Sequence, residues 1–319
     1  MKRFRFVFVV VAIFLGAFFT TQAWSADIFS GMEPRSNNIY SPQDQRIRGD
    51  KELVEFTENF SQNNKKYPFI VDADMEKYLN GLLKRLLVVA PAYVRQFEYR
   101  IHIVNAPDIN ASAIQGGVIL LYLGALANAS SEDCLASILS HEIGHIALQH
   151  AAAYATHELM ILEEFKLIQV EIEKIKDLSD PDSERRRQLL VFLKKDCRCR
   201  IDMMTVWFNA GKEAEADIFG VRLAMAAGMD PFGFMRQLVS KEKDGRQPSA
   251  NWRERSHLPS SIRLAMMKYE MSIWEKEYPV RQESSPEEFL IMKEKAKKLF
   301  NRPIPNLVEG IPLAVPCAR

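Results

Sequence analysis

Three histidines fall within the segment SILSHEIGHIALQH, residues 137–150. His141 and His145 flank Glu142 in the pattern His-Glu-x-x-His. On an α-helix, residues four apart share a face one turn apart, so both imidazoles can aim a nitrogen at one metal ion. Glu142 follows the first ligand and sits beside that ion, where it can hold a water. Zinc lowers the pKa of such a water towards about 7, and the carboxylate takes its proton as hydroxide attacks a carbonyl. This chemistry needs a third protein ligand. EAEAD, residues 213–217, offers Glu213 and Asp217, again four apart on one helical face. A glutamate ligand with an aspartate one turn later fits a ligand plus an acceptor that orients a ligand histidine. Glu215 points elsewhere at that spacing and reads as a solvent-facing or structural acid. His150 and His157 read as structural, and His102 as packed on a strand.

Elements that position these residues follow from periodicity. DADMEKYLNGLLKRLLVVA (72–90) is an amphipathic helix with Met75, Tyr78, Leu79, Leu82, Leu83 and Leu86 on one stripe. Asp72 or Asp74 caps it and Pro91 marks its end. FEYRIHIV (97–104) alternates as a strand does, and GGVILLYLG (116–124) reads as a second strand after a glycine pair. Ser130, with Asp133 three residues on, starts the histidine-bearing helix, expected to run to about residue 156. Further helices are expected at 50–66, 157–178, 185–195, 211–231 and 260–278, the fourth stopped by Gly228 and Pro231. Residues 27–45 read as a loosely ordered lead and 301–319 as extended.

The N-terminus has another character. MKRFRFVFVVVAIFLGAFFTTQAWSAD places Lys2, Arg3 and Arg5 before an apolar run from Phe6 to Phe19 and then small and polar residues. That order is a cleavable secretory signal, and the run is shorter than the roughly 20 residues a membrane span needs. Apart from it, apolar and charged content are those of a soluble globular domain, and a net charge of +1 gives no reason to expect a nucleic-acid partner. Four cysteines, Cys134, Cys197, Cys199 and Cys317, permit two disulfides in an oxidising compartment or buried free thiols.

HEIGH at 141–145 followed by EAEAD at 213–217 resembles the zinc metallopeptidases grouped with the CAAX prenyl proteases and HtpX, in particular their soluble periplasmic BepA-like branch. INASAIQGGVI (109–119) is similar to that family's Asn-Ala-x-Ala-x-x-Gly-Gly segment. AGMDP (227–231) is similar to its Ala-Gly-Tyr-Asp-Pro, with Met229 in place of tyrosine. SHLPSSIRL (256–264) is similar to its Ser/Thr-His-Pro-x-x-x-x-Arg-Ile, with Leu258 inserted before the proline. The resemblance spans roughly residues 40–270. It implies His141, His145 and Glu213 as ligands of one Zn2+, Glu142 as the base and Asp217 behind the ligands. Further, it implies His257 as a gating fourth ligand or a donor to the developing oxyanion, and Arg263 as a cleft cation holding substrate or transition-state charge. Asn110, Ala111, Ser112 and Ala113 would lie along the cleft and pair with an extended peptide. The chain lacks the spans of the multi-span members and shows no helical-repeat arm after the domain.

The expected architecture is α+β, mostly α, a zincin-like domain whose small sheet borders the active-site cleft with one edge. Expected divisions are a signal peptide at 1–25, a lead and helix at 26–70, the metallopeptidase domain at 71–275, and a helix with an extended tail at 276–319. The expected function is zinc-dependent hydrolysis of unfolded or misfolded envelope proteins in the periplasm. Expected partners are unfolded polypeptide and a membrane or outer-membrane assembly partner. The rival readings are a holdase that cuts little and a membrane-tethered form of the same peptidase.

Overall fold

The computed structural model describes residues 27–34, 38–62, 69–175, 181–233, 235, 260–281 and 285–300. In chain order the elements are α1 (Pro42–Gln62), β1 (Phe69–Ile70), α2 (Ala73–Val89), α3 (Ala92–Arg95), β2 (Arg100–Val104), β3 (Ala111–Ile114), β4 (Val118–Tyr122), α4 (Leu123–Asn128), α5 (Glu132–Ala147), α6 (His150–Lys174), α7 (Pro181–Ala226), α8 (Ser260–Trp274) and α9 (Glu287–Phe300). Helices predominate around one small mixed sheet, the α+β architecture expected. Among the described residues, no helix is long and apolar enough to cross a membrane. The expected signal peptide, His257 and the extended tail lie outside the described residues.

The sheet has the order β1-β2-β4-β3. β1 runs antiparallel to β2, β2 parallel to β4 from Arg100↔Val118 to Val104↔Tyr122, and β3 antiparallel to β4 from Ala111↔Leu121 to Ile114↔Val118. Every residue of β4 is buried, which is why VILLY is one unbroken apolar run: both faces of this central strand are covered. Ile119 and Leu121 join the main helical core, whereas Val118, Leu120 and Tyr122 pack on the opposite face with Leu53 and Phe56 of α1. β3 ends the sheet. No further strand pairs with its outer edge among the described residues, its inner edge pairs with β4, and α5 packs against it.

α2 buries the stripe its sequence encodes, Met75, Tyr78, Leu79, Leu82, Leu83 and Leu86, and Asp72 caps it by accepting from the Met75 amide at 3.0 Å. The Tyr78 hydroxyl donates to Glu132 at 2.8 Å, tying α2 to the first turn of α5. α5 is the central helix, with every residue but His145 buried. Its cap is Ser131, one residue later than expected, whose hydroxyl accepts from the Cys134 amide.

Other sequence expectations need correction. The described residues of the lead expected at 27–45 are not loose: Ile28 and Phe29 are buried in the core, with the Phe29 ring 5.6 Å from that of Phe219. α1 begins at Pro42, behind a reciprocal cap in which Ser41 and Asp44 exchange side-chain to amide hydrogen bonds. The histidine helix does not reach residue 156. It stops at Ala147, Gln149 takes a left-handed conformation (φ 56°, ψ 38°), and α6 restarts at His150. The helices expected at 185–195 and 211–231 form one continuous α7, which ends with Gly228 at φ 69°. α9 packs on α4 and α2, with Phe289 and Ala296 wholly buried in the common core. Among the described residues no disulfide joins Cys134, Cys197 and Cys199, the first two of which are buried; Cys317 lies outside the described residues.

Candidate metal centre

α5 and α7 cross at a seam of small residues. A Cβ on Gly144 would lie 3.0 Å from the Ala216 carbonyl oxygen, and one on Gly220 3.0 Å from the His141 amide. Glycine at these two positions therefore lets HEIGH and EAEAD approach backbone to backbone. Across the seam, His141 Nε2 lies 3.1 Å from His145 Nε2 and 3.2 Å from Glu213 Oε2, and His145 Nε2 lies 3.3 Å from Glu213 Oε1. Among the described residues these three form the group of His, Cys, Asp and Glu side chains close enough to share a metal ion. In a tetrahedral site with bonds of about 2.0–2.2 Å, ligand atoms stand about 3.3–3.6 Å apart. The triangle fits such an ion with only slight adjustment. The donor chemistry fits as well: two imidazoles and a carboxylate are the ligand set that suits a divalent zinc ion.

Behind the triangle, Asp217 Oδ1 lies 3.0 Å from His141 Nδ1. Arg263 Nε and an Nη donate to the two Asp217 oxygens, both at 2.7 Å, and an Nη lies 3.6 Å from Glu213. Burial pushes the Asp217 carboxyl up, but the hydrogen bonds from Arg263 and His141 outweigh it and hold it at about 2. Burial also lowers His141, while Asp217 and Glu213 raise it to about 10, so without metal the ring is a cation between two carboxylates. Nε2 would give up its proton to hold a metal ion. Glu142 is buried, 6% exposed, close enough for its charge to favour the charged form of Arg263.

Arg263 corrects one expectation. It is 4% exposed and committed to Asp217, so it stands behind the ligands rather than in the cleft facing substrate. Asn110 precedes the edge strand, and Ala111, Ser112 and Ala113 lie on it beside α5. The glycines that follow answer to packing. At Gly116 (φ 73°) a Cβ would lie 2.4 Å from Arg46 Cα of α1, and at Gly117 (φ 93°) 2.4 Å from the Glu98 carbonyl oxygen.

His150 and Glu215, expected as structural and as a solvent-facing or structural acid, both lie near the site. His150 Nδ1 lies 3.0 Å from His145 Nδ1, and His150 Nε2 lies 3.2 Å from Glu215. Burial lowers His150 to about 4, so it is neutral, and the His150 hydrogen bond helps hold Glu215 at about 2. The available signal was the third histidine of HEIGHIALQH; the bend that turns it towards His145 was not visible.

The model of peptidase family M48 matches residues 74–271, which include the whole metal triangle. This chain belongs to peptidase family M48. As a member of that family it carries the metallopeptidase pattern on two crossed helices. It is similar to a beta-barrel assembly-enhancing protease of Yersinia pestis, 26% identical over 57% of this chain and 36% of that protein. It is also similar to the mitochondrial metalloendopeptidase OMA1 of Schizosaccharomyces pombe, 31% identical over 24% of this chain and 22% of that protein. The chain thus spans about a third or less of these relatives. Among solved structures, that of S. mikatae Ste24p aligns with 17% identity and a TM-score of 0.41, over 70% of this chain and 55% of that one.

Proposed function

We propose that this chain is a zinc-dependent endopeptidase that cuts extended, locally unfolded polypeptide in the bacterial envelope. The observation that carries the reading is the triangle of His141, His145 and Glu213 at 3.1–3.3 Å, with Glu142 next to the first ligand and, beside the same helix, a sheet edge that no further strand pairs with among the described residues. A zinc ion held there would supply a water acidic enough to ionise near neutrality. Glu142 would accept the proton of a water attacking the scissile carbonyl and return it to the departing amine. Asp217, gripped by Arg263, holds the His141 ring in the tautomer that leaves Nε2 free for metal. Substrate joins the outer edge of β3 as an added strand, through the backbone of Asn110–Ala113. Only a chain that is locally unfolded offers free backbone for such pairing.

Periplasmic location and a part in envelope quality control belong to the same proposal. Support comes from the basic and apolar N-terminal sequence, and from the relative whose name ties it to β-barrel assembly. N-terminal sequencing of the exported protein tests the first point: a chain starting near residue 26 supports a cleaved signal, and one retaining Met1 means a tether. Chelator treatment tests the chemistry. Hydrolysis of an unfolded protein should stop on metal removal and return with stoichiometric zinc; activity that survives full removal contradicts the proposal.

A further inference from the structure

We infer that His150 and Glu215 form a positioning relay for His145, so that each ligand histidine is held by its own carboxylate from EAEAD. The inference rests on the metal reading of the site. A ligand histidine gives one ring nitrogen to the metal and commonly donates its other N–H to an acceptor that fixes the ring. His141 meets that need directly, with Asp217 Oδ1 at 3.0 Å from Nδ1. At His145 Nδ1 the neighbour among the described residues is instead His150 Nδ1, at 3.0 Å.

The tautomers then follow one another. With His145 Nε2 turned to the triangle, its lone pair must lie on Nε2 and its proton on Nδ1. His150 Nδ1 must accept that proton's hydrogen bond, so its own proton sits on Nε2. That nitrogen faces Glu215 Oε2 at 3.2 Å, an acceptor fit for an N–H donor. Lys212 Nζ donates to the same oxygen at 2.8 Å, as Arg263 does to Asp217 on the other branch. Each branch therefore runs from ligand ring to carboxylate to cation, one direct and the other with a histidine inserted.

Local structure is arranged to make this contact. In a straight helix, residues five apart point about 140° away from each other, so His150 would face away from His145. The left-handed turn at Gln149 removes that constraint. Left-handed backbone is unfavourable for a residue with a Cβ, and it persists where surrounding contacts hold it. Here the Gln149 side-chain oxygen accepts from Asn38 at 2.6 Å and from buried Gln45 at 3.0 Å.

The test is zinc affinity, measured by chelator competition on the full chain, with metal-free folding checked by circular dichroism. His150→Ala should weaken zinc binding about 10–100-fold. Glu215→Gln, at a carboxylate that is 31% exposed, should weaken it several-fold without disturbing the fold. The double variant should bind no more weakly than His150→Ala alone, because Glu215 acts through His150. By contrast, His150→Ala combined with Asp217→Asn should multiply the two losses. Wild-type affinity in His150→Ala, or a Glu215→Gln loss that persists without His150, overturns the relay. Should His150→Ala fail to fold, unchanged affinity in Glu215→Gln alone overturns it. A wild-type chain that binds no zinc overturns the metal reading and the relay together.

Discussion

Replacing Arg263 with methionine removes both hydrogen bonds at 2.7 Å to Asp217 and leaves that carboxylate, 3% exposed, inside the protein. Breaking one side of a buried ion pair destabilises by about 3–5 kcal/mol. Two charge-assisted hydrogen bonds at about 1.5–3 kcal/mol each give a similar total. His141 stays charged beside Asp217 when metal is absent, which keeps part of the compensation and favours the lower end, about 3 kcal/mol. For a domain of this size each kcal/mol shifts Tm by about 2–4 °C, so metal-free Arg263→Met should melt about 6–12 °C below wild type. The melts must be run in chelator, because bound metal adds stability by mass action. Combining Arg263→Met with Asp217→Leu removes the stranded charge and should recover most of the loss. The same double variant should still bind zinc about 10–100-fold more weakly, since His141 Nδ1 has lost its acceptor. A single variant that melts with wild type, or a double variant as unstable as the single, would refute the account of Arg263 as the clamp behind the ligands.

Three further outcomes are expected. Gly144→Val places side-chain atoms against Ala216 across the seam, so stability should fall by about 1–3 kcal/mol and zinc affinity should fall with it, read by thermal melts and chelator competition. Phe289→Ala should cost about 3–5 kcal/mol in denaturant unfolding, because α9 shares the core with α4 and α2. Burial raises the Glu52 carboxyl against the hydrogen bond from Gln115, so the folded chain holds that proton more tightly than the unfolded one. Stability then declines as pH rises from about 4.5 through the raised value. Glu52→Gln should accordingly raise Tm at pH 7 and leave it unchanged near pH 4.

Sequence carried the parts of this site that obey one helix at a time. His141 with His145 and Glu213 with Asp217 keep four-residue spacing on straight segments, and α2 buries the six residues its stripe names. β4 was legible because a strand covered on both faces becomes continuously apolar. What sequence hid depends on contacts between distant segments. Nothing in HIALQHAAAY breaks a helix locally; the bend at Gln149 is held by Asn38 and Gln45, more than a hundred residues earlier. The sequence leaves Glu215 as a solvent-facing or structural acid for the same reason, since its partner His150 reaches it only after that bend. Ile28 and Phe29 showed no periodicity within a polar stretch, yet they pack against α7 through Phe219. Arg263 was legible as a functional cation, but its direction was not: only the fold shows that Asp217 claims it from behind the metal ligands.

The most direct test of the central claim compares wild type with Glu142→Gln, measuring zinc content and degradation of a reduced, unfolded protein in parallel. Glu142 is not among the three metal ligands, so both chains should bind one zinc ion with similar affinity. Loss of the general base should slow hydrolysis by about 10²–10⁴-fold. Equal degradation by the two chains, or a wild-type chain that holds no zinc, would contradict the account.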